Sequence, residues 1–151
     1  MILSCAGLLC ACILSSRLAH GDPSEPWSDA QTLEPAQLAA ELEKENDPHV
    51  VVIYVGVRTL YNGGHIPGAM FYGQGSTEQG IAELKKSAAT LPKNSNVVLY
   101  CGCCPLEKCP NLRPAFAAVR EFNFAKLRVL ILPTSFNVDW VEKGYPVAKG
   151  S

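Results

Sequence analysis

The most reactive side chains of this sequence are gathered in one short segment. Seven cysteines occur in the chain, and four of them fall within nine positions, as Cys101, Cys103, Cys104 and Cys109. Thiols at that density can do three kinds of chemistry: one can act as a nucleophile, several can bind a soft metal ion, or two can form a disulfide. The segment therefore calls for a chemical explanation, and the residues leave all three open.

The first explanation is a nucleophile at Cys101, which directly follows an apolar run and begins a loop that leads into a helix. Backbone N–H groups of such a loop and the positive end of the helix dipole stabilise an anion. We therefore predict a pKa for Cys101 below the ordinary value of about 8.5. Gly102, Cys103 and Cys104 would bind the substrate anion beside it, and Arg113 would add a fixed positive charge where the helix begins.

The other two explanations use the remaining thiols. All four thiolates could bind zinc or Cu(I), although their C-x-C-C-x4-C spacing differs from the C-x2-C pairs of structural zinc sites. In an oxidising compartment, Cys103 or Cys104 could pair with Cys109, and either partner could resolve an oxidised Cys101. The leading interpretation, a reactive Cys101, requires no metal and no cofactor.

The elements around this segment predict an α/β domain. Three apolar runs rich in β-branched residues are typical of strands buried on both faces: 50–55, 97–100 and 127–132. Two predicted helices begin at Glu34-Pro35 and at the capping-box pattern of 76–79. Two more predicted helices cover 114–122 and 135–143. A short edge strand is predicted at 31–33. This alternation indicates a mainly parallel sheet with helices on both faces, whose ligands bind beyond the carboxyl ends of the strands.

Length and charge narrow the function classes. A chain of 151 residues holds one core, and a net charge of −1 without basic runs argues against nucleic acid as a partner. Residues 1–21 combine an apolar run with small residues before a predicted cleavage after Gly21, which indicates an exported, periplasmic or extracellular protein without stable membrane insertion once this signal is removed. An uncleaved N-terminal anchor is the alternative. Residues 22–30 would form a flexible lead-in, and 31–151 the domain.

Two further segments complete a pattern around Cys101. The run Val52-Ile53-Tyr54-Val55-Gly56-Val57-Arg58, followed by Gly63-Gly64-His65-Ile66-Pro67-Gly68-Ala69, resembles the signature of the rhodanese family. In that family a buried strand ending in Asp-Val-Arg precedes Gly-His-Ile-Pro-Gly-Ala. The run 97–101 is similar to the family's strand that ends in the catalytic cysteine, and Gly144-Tyr145-Pro146-Val147 is similar to its closing segment. The resemblance extends from about Leu33 to Val147.

The resemblance implies a single domain with a five-stranded parallel sheet, and sulfur transfer through a persulfide on Cys101. Arg113 then matches the catalytic arginine that closes the family's active loop. Arg58 matches the arginine of the Asp-Val-Arg element and would bind substrate. The implied partners are a small anionic donor such as thiosulfate and a thiol or cyanide-like acceptor. Gly56 replaces the usual aspartate, and the loop from Cys101 to Arg113 is longer than the family's. A thiol-redox or metal-binding module remains the alternative.

In the signature turn, His65 could be a catalytic base. A ring hydrogen bond that fixes the turn is the preferred interpretation.

Overall fold

The computed structural model describes residues 25–44 and 50–150. The elements follow the chain in this order: β1 (Thr32–Leu33), α1 (Pro35–Glu43), β2 (Val50–Tyr54), α2 (Arg58–Gly63), β3 (Met70–Phe71), α3 (Glu78–Ala88), β4 (Asn96–Tyr100), α4 (Leu112–Arg120) and β5 (Lys126–Leu130). The predicted signal segment, 1–21, lies outside the described residues, so export of the domain stays a prediction. Among the described residues, no helix is both long and apolar enough to span a membrane.

The five strands form one sheet in the order β1-β5-β4-β2-β3, and every neighbouring pair is parallel. This confirms the predicted five-stranded parallel sheet. Tyr54 pairs with Tyr100 at the ends of β2 and β4, so both strands finish at the same edge. Cys101 therefore leaves the sheet from a central strand, beside the segment that follows Tyr54.

Alternate residues of the strands pack on opposite faces of the sheet. Val97 and Leu99 of β4 contact a core that includes Leu84 of α3 and Phe116 of α4. Val98 and Tyr100 face the other core, to which α1 and α2 contribute side chains. The β-branched runs are buried on both sides for this reason, and helices cover both faces as the sequence predicted.

Three local features differ from the sequence prediction. The capping residue of α3 is Thr77, whose hydroxyl accepts the N–H of Gly80 at 3.0 Å, and not Ser76. The predicted last helix is a single π-helical turn, Asn137–Val141, in which the N–H of Glu142 donates to the carbonyl of Asn137 five residues earlier, at 2.8 Å. The elements α2 and β3 were not predicted from periodicity, since both are shorter than the windows that reveal it.

The described part of the predicted lead-in packs against the domain. The Trp27 ring is buried and meets Phe116 edge-to-face, with ring centroids 5.4 Å apart. Such aromatic pairs contribute beyond the area that they bury. The packed domain therefore begins several residues before position 31.

Candidate functional site

Cys101 lies at the floor of a pocket at the carboxyl edge of the sheet. Its side chain is 2 % exposed, and the pocket has a volume of about 430 Å³. The pocket is also lined by Tyr54, Gly102, Cys103 and Phe136. This is the position at which parallel α/β sheets bind their ligands.

The loop after β4 gathers the cysteine sulfurs around Cys101. The sulfur of Cys101 lies 3.1 Å from that of Cys103, which in turn lies 3.5 Å from that of Cys104. The sulfurs of Cys101, Cys103 and Cys109 all fall within 4.8 Å of one another. All four are free thiols. The structure thus brings together the residues that the sequence singled out, in one sulfur cluster.

Asn111 is a site residue that the sequence analysis missed. Its side chain is 1 % exposed, and its Nδ2 lies 3.5 Å from the sulfurs of both Cys101 and Cys103. Because its Oδ1 accepts the backbone N–H of Ser76 at 3.1 Å, the amide nitrogen must face the sulfurs. A buried amide donor aimed at two sulfurs favours their anionic forms.

The pKa values of the thiols differ from the sequence prediction. The neighbouring Cys109 thiol, together with burial, raises the pKa of Cys101. The same interaction between the two thiols, with the N–H groups of Asn111 and Leu112 at the start of α4, lowers the pKa of Cys109 to about 5. The pKa of Cys101 is thus raised, contrary to the predicted lowering, and Cys109 is the thiol whose pKa is lowered.

Gly102 occupies a position that requires glycine. Its φ is +74°, and a Cβ would lie 2.8 Å from the Cβ of Phe136 and 2.9 Å from the Cδ1 of Leu132. The Gly102 carbonyl accepts the N–H of Phe136 at 2.9 Å. The backbone of the loop is thereby fastened to the opposite wall of the pocket, immediately after Cys101.

Gly56 leaves space for a tyrosine beside the reactive sulfur. A Cβ at this position would lie 2.4 Å from the hydroxyl of Tyr54 and 3.0 Å from the sulfur of Cys101. Burial, and then the nearby Cys101 charge, raise the pKa of Tyr54, so its hydroxyl stays protonated. The Tyr54 hydroxyl, a neutral hydrogen-bond donor from β2, thus occupies the space that a side chain at position 56 would take.

Arg113 and Arg58 do not line the pocket. The Arg113 guanidinium donates to the carbonyls of Leu106 and Cys109, at 3.1 and 3.3 Å, and forms an ion pair with Glu25. Arg58 lies over the Phe71 ring, 4.2 Å from its centroid. The structure therefore places Arg113 where it holds the cysteine loop, on the side away from the pocket.

This placement predicts the outcome of replacing Arg113 by methionine. We expect the free energy of unfolding to fall by about 1–2 kcal/mol, because two loop carbonyls and Glu25 lose their donor. Urea unfolding of the variant measures the loss, with Arg120→Met at the exposed end of α4 as the control. Unchanged stability with lost sulfur transfer would instead support the substrate contact predicted from the sequence.

The C-terminal segment brings one cation to the pocket. Lys149 lines the pocket and is its sole Lys or Arg among the described residues. His65 and Ala148 exchange both backbone hydrogen bonds at 2.9 Å, which holds this segment beside the pocket.

The His65 ring contacts the Tyr61 carbonyl at 2.8 Å and stacks on the Tyr61 ring, so the predicted role of His65 in fixing the turn is confirmed.

Comparisons with known proteins agree with this architecture. The family model of the rhodanese-like domain matches residues 34–130. The BH2092 protein of Bacillus halodurans superposes with a TM-score of 0.61 at 20% identity, covering 78% of this chain and 76% of that one. An uncharacterized protein of Saccharomyces cerevisiae superposes with a TM-score of 0.56 at 20% identity, over 78% and 95% of the two chains. No curated protein matches the sequence.

A thiosulfate sulfurtransferase of Pseudomonas aeruginosa is also similar, with a TM-score of 0.55 at 25% identity. The match covers 80% of this chain but 19% of that enzyme, so it concerns one domain of a longer protein. The family match spans most of the packed domain, including the strand that ends at Cys101. From the fold and the family match, which includes Cys101, we conclude that the chain belongs to the rhodanese-like domain family.

Proposed function

We propose that this protein is a sulfurtransferase that carries a sulfane sulfur as a persulfide on Cys101. The donor is a small anion such as thiosulfate, and the acceptor is a thiol or a cyanide-like nucleophile. The observation that carries the proposal is the position of Cys101, whose sulfur forms the floor of a pocket of about 430 Å³ at the carboxyl edge of the sheet. A pocket of that size admits a small anion and a small acceptor in turn.

The transfer takes place in two displacements. The Cys101 thiolate attacks the outer sulfur of thiosulfate, the bond between the two donor sulfurs breaks, and sulfite leaves with the electron pair. The acceptor then attacks the outer sulfur of the persulfide, and the Cys101 thiolate is released. No net oxidant or reductant is consumed, so the cycle needs only the donor and the acceptor.

The surroundings of Cys101 serve both steps. The Cys109 sulfur lies within 4.8 Å of the Cys101 sulfur and can accept its proton. The N–H of Cys103 and the amide of Asn111 then face the Cys101 sulfur and stabilise the negative charge left there. The Tyr54 hydroxyl, which reaches the same space, can donate to the charged outer sulfur of the persulfide.

The experiment that tests the function is intact mass spectrometry of the reduced protein after treatment with thiosulfate. We expect the mass of one sulfur atom to be gained, and a subsequent addition of cyanide to remove it with formation of thiocyanate. Cys5, Cys10 and Cys12 are replaced by serine so that the leader contributes no thiol. If the mass does not change and no thiocyanate forms, the proposal is wrong.

The pocket's cation gives a second prediction. Replacing Lys149 by alanine is expected to raise the KM for thiosulfate about fivefold with little change in kcat, since an exposed charge contributes about 1 kcal/mol to binding an anion. Steady-state kinetics with thiosulfate and cyanide measure this. Lys143→Ala, which removes a lysine that does not line this pocket, is the matched control. Equal KM values for both variants would show that Lys149 does not bind the donor.

A further inference from the structure

The sulfur cluster has the dimensions of a metal site. The sulfurs of Cys101, Cys103 and Cys109 lie within 4.8 Å of one another. Metal–thiolate bonds of about 2.3 Å in a trigonal plane place the three sulfurs about 4 Å apart. A modest adjustment of the side chains therefore suffices to bring all three sulfurs into bonding distance of one ion between them.

The surroundings of the three sulfurs are those of anionic ligands. The Asn111 amide faces two of them, and the N–H of Leu112 faces the third, that of Cys109. The Arg113 guanidinium is already paired with the Glu25 carboxylate. A metal cation at the centre of the triangle displaces the thiol protons and offsets the repulsion that three thiolates this close would have.

We propose that Cys101, Cys103 and Cys109 bind one Cu(I) ion in a three-coordinate thiolate site. Soft thiolates select Cu(I), whereas zinc in structural sites takes four ligands. Cys104 is not a member of the triangle, and no histidine or carboxylate of the described residues joins it. The donor set is therefore one ligand short of the tetrahedral shell that zinc requires.

This proposal does not rest on sulfur transfer, but it has a consequence for it. The same Cys101 sulfur cannot bind Cu(I) and carry a persulfide at once. Loading with Cu(I) should block persulfide formation, so the two states of the cluster exclude each other. The cluster would then respond to both sulfane sulfur and copper.

The test is an anaerobic titration of the reduced chain with Cu(I), in competition with the chromophoric chelator bicinchoninate. The background again carries Cys5→Ser, Cys10→Ser and Cys12→Ser. We expect one Cu(I) per chain, and X-ray absorption should show three sulfur neighbours at about 2.3 Å. Cys103→Ser should weaken binding by at least about 100-fold, which exceeds the 10- to 100-fold cost of losing an outer contact. Cys104→Ser, outside the triangle, should stay within about threefold of the parent.

Circular dichroism of each variant establishes that a loss of binding is not a loss of folding. Failure of the folded parent protein to take Cu(I) from the chelator would overturn the proposal. Equal affinities for the Cys103→Ser variant and the parent would also overturn it. So would tight binding of Zn(II) that depends on Cys104, because it would show a four-thiolate site in place of the trigonal one.

Discussion

Replacing Cys101 by serine is expected to abolish persulfide formation and to lower kcat/KM for sulfur transfer by at least about a thousandfold. A serine hydroxyl is a far weaker nucleophile for sulfur, and at this position it cannot form a persulfide. Cys101 is 2 % exposed, and the smaller serine oxygen fits the same buried site. The Asn111 amide can donate a hydrogen bond to it there. The fold should therefore persist, and intact mass after thiosulfate treatment measures the loss directly.

Cys104→Ser is the matched control for this experiment. Cys104 belongs to the same loop but does not line the 430 Å³ pocket, and burial raises its pKa to about 12. We expect the variant to gain one sulfur atom as the parent protein does. If the Cys101→Ser protein still gains a sulfur, the nucleophile is misassigned. Peptide mapping would then be directed first at Cys109, whose pKa is lowered to about 5.

Replacing Gly102 by alanine is expected to lower the free energy of unfolding by about 3 kcal/mol. A non-glycine residue in the left-handed region costs about 1–2 kcal/mol, and overpacking costs about 1–3 kcal/mol. Both apply at Gly102, because its φ is +74° and a Cβ would lie 2.8 Å from the Cβ of Phe136. Urea unfolding followed by circular dichroism measures the change, and sulfur transfer should fall with it because the loop must move.

The Gly144→Ala variant separates the cost of the backbone conformation from the cost of overpacking. Gly144 has a φ of +80°, but nothing lies within 4 Å of the place that a Cβ would take. This variant should therefore lose about 1 kcal/mol, the cost of the backbone conformation alone. If both variants are destabilised equally, the close approach of Phe136 and Leu132 to Gly102 does not constrain the loop.

Much of the fold follows from local pattern. The β-branched runs predicted β2, β4 and β5 to within two residues at either end, because strands buried on both faces need apolar residues at every position. The strand ending at Tyr100 also located Cys101 at the carboxyl edge of the sheet. The edge strand β3 and the short helix α2 left no periodic signal, and their positions depend on pairing and packing with distant residues.

The candidate site also has features that the sequence predicts and features that only the folded chain shows. From residue types alone, the cysteine cluster could be recognised as the reactive segment, and Cys101 as its first member. Sequence spacing could not show that Cys109 lies both beside the Cys101 thiol and against the N–H groups at the start of α4, which together lower the pKa of Cys109 and not that of Cys101. The direction of a helix N-terminus relative to each sulfur is a property of the folded loop.

The charges around the pocket were likewise decided by tertiary structure. Arg113 matched a catalytic pattern in sequence, but its guanidinium pairs with Glu25, a partner 88 positions away. Lys149 had no motif, and the bridge between Ala148 and His65 brings it to the pocket. Asn111 faces the sulfurs because Ser76 occupies its other end. The sequence by itself determined which chemistry is available, through the number and spacing of the cysteines. The tertiary structure decided which charge and which amide donor face Cys101, because the position of Lys149 and the orientation of Asn111 depend on residues that meet only in the folded chain.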